Sequence, residues 1–575
     1  MLGTFPTRIE DFMAWQWPQI EPYFQGLAAR PLSADNVSQW LLDWTQLSDR
    51  IDETKTRLYV ASTCHTSDKA IQERQEKYLT DVIPLVLLAE QQLKEKLLNS
   101  RLAPSEFEVP LRKMRAQAEL YRQANLPLLT EVAKLIPEYD QIVGAQTVEW
   151  EGVQVPLKRL DPILLETDRS RRERAWRKMA ERQMADRAAI VALWNRLLAA
   201  RRQIAANAGL ADYRAYRWRE MLRFDYTPDD TKTYVQAVEA VVVPVMGRLA
   251  ETRRRQLGLD TLRPWDIGVW GTGVDPLGRP PLKPFATIQE LVSKAATIFQ
   301  QLDPQLGGYF EIMRQEGLLD LSNREGKAPG AYSLNYMASR QPFIFGNSVG
   351  VADDVTMLMH EAGHCFHSFE SAHLPYFQQR QEEQIPAEFA EVASLGMELL
   401  TLPYLAAEKG GFYSSADHAR QQADHLIGML GVWTVMAVRE AFQHWVYDNP
   451  DAASDGMQCD AKWAELIERF SPAVDWTGLE AEKAAGWRST AHILQSPFDN
   501  IEYAVAQLGA VQVWANAMHD PKGALARYRQ ALALGGSATL PQLYEAAGAK
   551  FAFDAETLRS AVTMIENKLA ELEAQ

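Results

Sequence analysis

One short stretch of the sequence limits what this chain can be more than any other: His360-Glu361-Ala362-Gly363-His364. The pattern is His-Glu-x-x-His. On a helix, His360 and His364 lie one turn apart on the same face, so both imidazoles can reach one zinc ion. Glu361 then lies beside the metal, where its carboxylate can take a proton from water. The stretch therefore predicts a zinc-dependent hydrolytic centre.

The sequence around this pattern favours a buried helix. Asp353 and Asp354 stand just before it, where the helix dipole favours acidic side chains. The residues that flank and separate the histidines are largely apolar: Val355, Leu358, Met359, Ala362 and Phe366. The alternative is a chance match on an ordinary surface or core helix. The apolar flanks and the acidic start favour the catalytic helix.

The charge balance excludes two classes of partner. The 575 residues carry a net charge of −15, with a pI near 5.3. Such a chain is unsuited to nucleic acid and to anionic membrane surfaces. Leu426–Val438 is the longest nearly apolar run, too short to span a bilayer, and we predict a buried helix there. We therefore expect a globular protein with no nucleic-acid or membrane partner. No heptad or exposed apolar stripe indicates an oligomer, and the sequence leaves the oligomeric state open.

The cysteines indicate the compartment. Cys64, Cys365 and Cys459 are far apart and odd in number, so no disulfide framework is expected. That usage is typical of a reducing cytoplasm. Glu10 and Asp11 stand where a signal peptide would need an apolar run, and we predict no signal peptide. The expected location is the cytoplasm.

The periodicity of the chain predicts a mainly α protein. Residues 1–200 form a first, helical region, interrupted by a β-hairpin near 147–155 where side chains alternate around Gly152. Residues 201–575 form the catalytic region. Within it Trp265–Phe285 is rich in Gly and Pro and is predicted as loop, and Gln341–Asn347 is predicted as a short strand. We expect a small β element beside the active site.

A catalytic zinc takes three protein ligands and keeps one position open, so a third ligand is needed. The metzincin spacing would place it at Glu370, but that geometry needs a turn glycine where this chain has His367. Better candidates lie on the next predicted helix. Glu391 and Glu398 are two turns apart on one face, and Glu388 lies one turn before Glu391. Spacing alone leaves Glu388 and Glu391 open.

Four blocks of sequence carry a family resemblance. They are Gly326-Lys327 through Gly330-Ala331-Tyr332; His360-Glu361-x-Gly363-His364-x-x-His367; Glu391-Val392-Ala393-Ser394 through Glu398; and His492-x-x-x-x-Pro497-Phe498-x-x-Ile501-Glu502-Tyr503-Ala504 with Gln507-Leu508-Gly509-Ala510. In order and spacing they resemble the thimet oligopeptidase and oligoendopeptidase F family of zinc peptidases, in its oligoendopeptidase F-like branch. The resemblance covers about residues 320–515. It implies a two-lobed, mostly helical zincin-type fold around a deep substrate channel, with the two predicted regions packed as lobes of one body.

The resemblance also assigns roles to residues. It implies that Glu391 is the third ligand of one Zn²⁺, and that Glu398 supports the ligands or a subsite. It implies that His492 and Tyr503 hold the substrate carbonyl and the developing oxyanion.

This chain departs from the family at one place. Relatives commonly carry tyrosines where it has Asp499 and Asn500, which we predict to contact substrate. The departure implies an altered site, in which Asp499 favours substrates with a basic group.

The function that these observations predict is a zinc metalloendopeptidase that cleaves internal bonds of short unstructured peptides. Tyr332, Phe343, Phe345 and Gly346 are predicted substrate contacts. The segment Phe343–Asn347 is expected to pair with the peptide backbone as an edge strand. Two alternatives stay open: an aminopeptidase that also uses His-Glu-x-x-His, and a peptide-binding homologue with impaired catalysis.

Overall fold

A computed structural model describes residues 5–268 and 270–574 of the chain. The predicted mainly α class is confirmed, because 70% of the residues are helical and the sheets are few and small. Within the described ranges, no helix combines the length and apolar character that a bilayer span requires. The stretch in which we predicted no signal peptide begins with residues 1–4, which lie outside the described residues.

The α-helices follow one another along most of the chain. In chain order they are Ile9–Phe12, Trp17–Ala29, Val37–Cys64, Lys69–Asp81, Ile83–Ser100, Glu108–Leu120, Leu126–Gly144, Arg169–Ala185, Arg187–Asn207, Tyr213–Glu220, Pro228–Gln256, Ile288–Leu302, Pro304–Gln315, Ala352–Ser371, Phe377–Arg380, Ala387–Thr401, Ser415–Asp448, Gly456–Phe470, Glu480–Ala485, Ala491–Gln495, Ile501–His519, Pro521–Ala533, Leu540–Ala546 and Ala555–Glu573. Short 3₁₀ helices lie at Gln123–Asn125, Leu157–Leu165, Glu382–Gln384, Leu402–Tyr404, Ala407–Lys409, Ala452–Ser454, Gly486–Ser489 and Gly535–Ser537.

The predicted hairpin is present. Strand β1 (Thr147–Trp150) pairs antiparallel with strand β2 (Val153–Pro156). The two residues between them, Glu151 and Gly152, have φ of 52° and 83°. Positive φ at both central positions matches the twist of a tight two-residue hairpin, and glycine adopts that conformation without strain.

A three-stranded mixed sheet lies near the predicted strand. Its order is β3 (Leu319–Ser322), β5 (Gln341–Ser348), β4 (Tyr332–Tyr336), with β5 parallel to β3 and antiparallel to β4. The strand predicted at Gln341–Asn347 is therefore confirmed. Its predicted role as an edge strand is wrong, because β5 is the central strand and both of its edges are paired. Strand β4 follows the loop 323–331, which contains Gly326 and Gly330, and in the described part of the chain it pairs on one side only.

The chain divides into two compact units, each assembled from separated stretches. The first consists of Met1–Glu119, Leu282–His418 and Gly509–Phe551; the second consists of Leu120–Pro281, Ala419–Leu508 and Ala552–Gln575. None of the boundaries between the units falls at residue 200, where the sequence analysis divided the chain. The first unit contains the three-stranded sheet, and the second contains the β1–β2 hairpin.

The helical periodicity read from the N-terminal sequence is also present. Helix Val37–Cys64 buries an apolar stripe at a spacing of three and four residues, each side chain 4% exposed or less: Trp40, Leu41, Trp44, Leu47 and Ile51. Asp68 caps the next helix by accepting hydrogen bonds from the backbone N–H groups of Ala70 and Ile71. Pro84 lies in the first turn of helix Ile83–Ser100, where its missing N–H costs no helical hydrogen bond.

Candidate metal centre

The pattern His-Glu-x-x-His lies on helix Ala352–Ser371, which we call the histidine helix. Its start is fixed by Asp354, whose Oδ2 accepts hydrogen bonds from the backbone N–H groups of Val349, Gly350 and Val351 at 2.8, 2.7 and 3.0 Å. A carboxylate there accepts hydrogen bonds from N–H groups that would otherwise lack partners, and its negative charge is stabilised by the positive end of the helix dipole. The helix continues past His367, as the missing turn glycine predicted.

A glycine lets the histidine helix approach helix Ala387–Thr401, which we call the glutamate helix. A Cβ atom on Gly363 would lie 2.5 Å from the carbonyl oxygen of Ala393 and 2.7 Å from the Cα of Ser394. Both contacts are with backbone atoms, which cannot rotate away as the end of a side chain can. The glycine between the two histidines therefore allows the two helices to cross at backbone distance, and this crossing brings the glutamates to the imidazoles.

Three side chains converge at the crossing. Glu391 Oε2 lies 3.4 Å from His360 Nε2 and 3.8 Å from His364 Nε2, and the three potential ligand atoms lie within 4.8 Å of one another. Ligands about 2.0–2.1 Å from a tetrahedral zinc would be about 3.4 Å apart. Ser394 Oγ donates to Glu391 Oε2 at 2.8 Å and fixes the carboxylate. Of the two glutamates that spacing left open, Glu391 belongs to this cluster and Glu388 does not.

Partners behind the imidazoles orient them. His360 Nδ1 is 2.6 Å from Glu398 Oε1, and the imidazole of His364 hydrogen-bonds the carbonyl of Ala390. These contacts leave both Nε2 atoms directed at Glu391. A hydrogen bond on one ring nitrogen fixes the tautomer in which the other can bind a metal. Glu398 thus contacts His360 on the side away from Glu391, and its role in supporting the ligands stays a prediction.

The charges of this cluster suit a cation. Burial alone would lower the pKa of His360, but Glu398, Glu391 and Glu361 raise it to about 9. Burial and the neighbouring His360 hold the pKa of His364 well below its ordinary value. Buried carboxylates require compensation, and a divalent cation between two imidazole nitrogens and one carboxylate would supply it. The donor set therefore fits a metal ion of the kind that binds nitrogen and oxygen together.

Glu361 lies beside this cluster without belonging to it. It is 8% exposed, and burial raises its pKa, while a hydrogen bond from the hydroxyl of Ser333 opposes that rise. Ser333 is the second residue of strand β4. Strand β4 therefore contacts the candidate base through a side chain.

The remaining predicted residues of the first unit make contacts within the protein, and their role as substrate contacts stays a prediction. The rings of Tyr332 and Phe345 stack with centroids 4.6 Å apart, and the Tyr332 hydroxyl lies 2.5 Å from Thr63 Oγ1. Phe345 is fully buried, and Phe343 is 7% exposed. A Cβ on Gly346 would lie 2.8 Å from the end of a methionine side chain. Buried rings on a central strand leave little surface for a peptide.

The other predicted residues, His492, Asp499, Asn500 and Tyr503, lie in the second unit. Asn500 is fully buried, and its Oδ1 accepts a hydrogen bond from Arg439 Nη1 at 3.0 Å. The backbone N–H of Tyr503 donates to the Asn500 carbonyl at 3.2 Å in the first turn of its helix. Burial lowers the pKa of His492, and the nearby Asp499 opposes this shift.

Arginines that the sequence analysis did not single out hold the segment Ser496–Asn500. Phe498 has φ of 63°, which is unusual for a bulky residue, and its carbonyl accepts from Arg223 Nη1 at 2.8 Å. Arg217 Nε donates to the Pro497 carbonyl at 3.1 Å. Burial would raise the pKa of Asp499, but a hydrogen bond with Glu502 and the nearby Arg217 and Arg223 lower it. The charge of Asp499 thus already faces arginines of its own unit.

A model of the family described as Peptidase family M3 matches residues 163–563, which is more than half of the chain. The chain belongs to peptidase family M3. This M3 chain is 24% identical over 348 residues to an oligoendopeptidase F homolog of Lactococcus lactis, covering 60% of this chain and 54% of the relative. It spans about half the length of the curated relatives that it matches.

Solved structures share the fold of this M3 chain. PZ peptidase A with an inhibitor superposes with a TM-score of 0.84 at 24% identity, covering 99% of this chain and 98% of the other. Oligoendopeptidase-F from Enterococcus faecium superposes with a TM-score of 0.63 at 16% identity, covering 99% of each chain. The resemblance that the four sequence blocks indicated is confirmed at the level of family and fold.

Replacing Glu398 by glutamine tests how the M3 chain holds His360. We expect the affinity for zinc to fall about 10–100-fold, because loss of a carboxylate behind a metal-binding histidine weakens the ligand and its orientation. Competition with a chelating dye gives the affinity. Glu408→Gln, an exposed site of the same unit, serves as control and is expected to match the unmodified chain. Equal affinities for all three proteins would contradict this role of Glu398.

Proposed function

We propose that this chain is a zinc-dependent oligopeptidase that hydrolyses internal bonds of short, unstructured peptides. The observation that carries the proposal is the convergence of His360, His364 and Glu391, with the buried Glu361 beside them. Membership of peptidase family M3 supports a peptidase, and relatives described as oligoendopeptidase F homologs support the endopeptidase class.

Zinc is the metal we assign to this site. Two imidazole nitrogens and one carboxylate oxygen form a common set of ligands for catalytic zinc and leave a fourth position open. When bound, zinc would lower the pKa of a water molecule toward neutrality and polarise the scissile carbonyl. Glu398, Ala390 and Ser394 hold the ligand atoms in place before the metal arrives.

Glu361 is the general base in this proposal. Its carboxylate accepts the proton of the attacking water and later delivers it to the leaving amine. Burial supports this role, because a raised pKa brings a carboxylate closer to the pH at which it must both accept and return a proton. The Ser333 hydroxyl orients the carboxylate and links it to strand β4.

Strand β4 replaces β5 as the strand that we expect to bind the peptide backbone. It is paired on one side only, and Ser333 connects it to Glu361. An added strand is held by main-chain hydrogen bonds, which are largely independent of side chains. We assign the binding of the substrate carbonyl and the oxyanion to His492 and Tyr503 on the family resemblance.

The compartment that we propose is the cytoplasm. Cys64, Cys365 and Cys459 are free thiols, as expected of a protein that works in a reducing cytoplasm.

Mass spectrometry of a digested nonapeptide tests the function. The zinc-loaded chain is expected to release internal fragments of several residues, and a chelator is expected to stop the reaction. Stepwise release of single N-terminal residues would identify an aminopeptidase instead. An intact nonapeptide in the presence of bound zinc would identify a peptide-binding homologue without catalysis.

A further inference from the structure

The second unit contains a cavity that the proposed mechanism does not use. Its volume is about 410 Å³, within the range of small-molecule sites. Helices of the second unit and the loop that precedes Trp476 form its walls. Most of the wall is aromatic or aliphatic: Trp176, Val243, Met246, Trp463, Phe470 and Trp476. Such a wall favours a ligand with a large apolar or aromatic group.

One cation in the cavity wall has no acidic partner. Arg439 lines the cavity, donates to Asn500 Oδ1 at 3.0 Å, and lies 6.0 Å from the centroid of the Trp270 ring. Among residues 5–268 and 270–574, no carboxylate forms an ion pair with it. Burial is the one cause that shifts its pKa, and it lowers that pKa. A partly buried charge without a counter-ion is costly, and an anionic ligand would offset the cost.

Nearby arginines of the same unit differ from Arg439 because they have acidic partners. Arg223 Nη2 is 2.6 Å from Glu502, and Arg217 Nη1 is 2.7 Å from Glu220. These arginines fix the segment Ser496–Asn500, and their charges are matched within the protein. Arg439 touches the same segment through a neutral amide only. Its unmatched charge therefore remains available to a ligand.

We propose that this cavity binds an aromatic or large apolar group that carries a carboxylate, with Arg439 receiving the carboxylate. Guanidinium and carboxylate form paired hydrogen bonds, and the tryptophan walls cover the apolar body. Two sources share this chemistry: the C-terminal residue of a peptide, and a free arylalkanoic acid.

The peptide C-terminus is the source that the surroundings favour. Arg439 contacts Asn500 and is close enough to His492 to lower the pKa of that imidazole. A carboxylate on Arg439 therefore lies beside the segment assigned to substrate. The preferred substrates would end in an aromatic or large apolar residue with a free carboxylate, an inference that rests on the proposed function.

Calorimetry of the full chain tests the charge. The probes are 3-phenylpropionate and its neutral analogue 3-phenylpropanamide, titrated without peptide. The acid is expected to bind at least about tenfold more tightly than the amide, as one charge-assisted pair requires. Arg439→Gln, which can still donate to Asn500, is expected to remove that difference. Equal binding of acid and amide, or a difference that survives Arg439→Gln, would overturn the proposal.

A second variant tests the location. Gly247 lines the cavity, and a Cβ added there meets no atom within 4 Å. Gly247→Leu fills the cavity and is expected to abolish binding of both probes. Gly428→Leu is the matched control, because Gly428 also has open space, lies on another helix of the same unit and does not line the cavity. Retained binding in Gly247→Leu would place the probes elsewhere and overturn the assignment.

Two nonapeptides distinguish the sources. Both end in Phe, one with a free carboxylate and the other with a C-terminal amide. A KM at least about tenfold lower for the free acid, lost in Arg439→Gln, supports the peptide C-terminus as the ligand. Equal KM values beside tight binding of 3-phenylpropionate would overturn the peptide source and support a free acid. Failure to cleave either peptide would count against the proposed function, whereas calorimetry needs no catalysis and decides the cavity separately.

Discussion

Replacing Glu361 by glutamine is expected to lower kcat for peptide cleavage by about 10²–10⁴-fold while leaving one zinc bound. The amide has the shape of the carboxylate and can still accept the hydrogen bond from Ser333, but it cannot take up a proton from water. The proposed ligands His360, His364 and Glu391 are unchanged. Elemental analysis gives the zinc content, and a quenched fluorescent peptide gives kcat and KM.

Glu370 offers a matched control on the same helix. Its carboxylate accepts a hydrogen bond from Arg529 Nε at 2.7 Å and does not belong to the metal cluster. Glu370→Gln is therefore expected to keep both zinc and activity. Full activity in Glu361→Gln would contradict the role of Glu361 as general base. Loss of zinc in Glu370→Gln would instead revive the ligand position that the metzincin spacing suggests.

The local part of the site could be predicted from the sequence, because helical periodicity fixes it. His360 and His364 share a face whenever the segment is helical, and Asp353 and Asp354 mark where that helix begins. The third carboxylate depends on how two helices cross, which spacing along one helix does not determine. Gly363 allows the two helices to cross closely, but the sequence does not show which backbone lies opposite this glycine.

The sheet shows the same limit more sharply. The composition of Gln341–Asn347 predicted a strand, and the structure has one. Whether a strand is central or at an edge depends on its partners, and here these are two short strands, Leu319–Ser322 and Tyr332–Tyr336, from either side of a glycine-rich loop. Neither partner had a length or pattern that distinguished it from loop. The cavity of the second unit was equally hidden, since its walls come from widely separated stretches of sequence.

The second large effect is expected at Lys327, in the loop 323–331 that joins β3 to β4. Its side chain is fully buried, and four acceptors surround its Nζ within hydrogen-bond distance. They are Asp320 Oδ1 at 2.9 Å and the carbonyl oxygens of Asp320, Ser322 and Gly346 at 2.9, 3.0 and 2.5 Å. It also lies 4.3 Å from the centroid of the Phe345 ring. One ammonium group thus ties strand β3 to strand β5.

Lys327→Met keeps the apolar stem and removes the charge. Arg324 still donates to both carboxylate oxygens of Asp320, but the carbonyls of Asp320, Ser322 and Gly346 lose this donor. A buried acceptor that loses its donor costs about 1–3 kcal/mol, and here three carbonyls lose theirs. Hydrogen–deuterium exchange of peptides covering 319–348 is therefore expected to accelerate by about two to four orders of magnitude.

Lys294→Met is the control, because Lys294 pairs with Glu290 on the surface of the same unit, where such pairs contribute at most about 1 kcal/mol. Equal exchange in the two variants would mean that Lys327 does not hold the sheet. Rapid exchange together with a raised KM and retained zinc would instead tie the buried lysine to substrate binding, because β4 pairs with β5 and carries Ser333 toward Glu361.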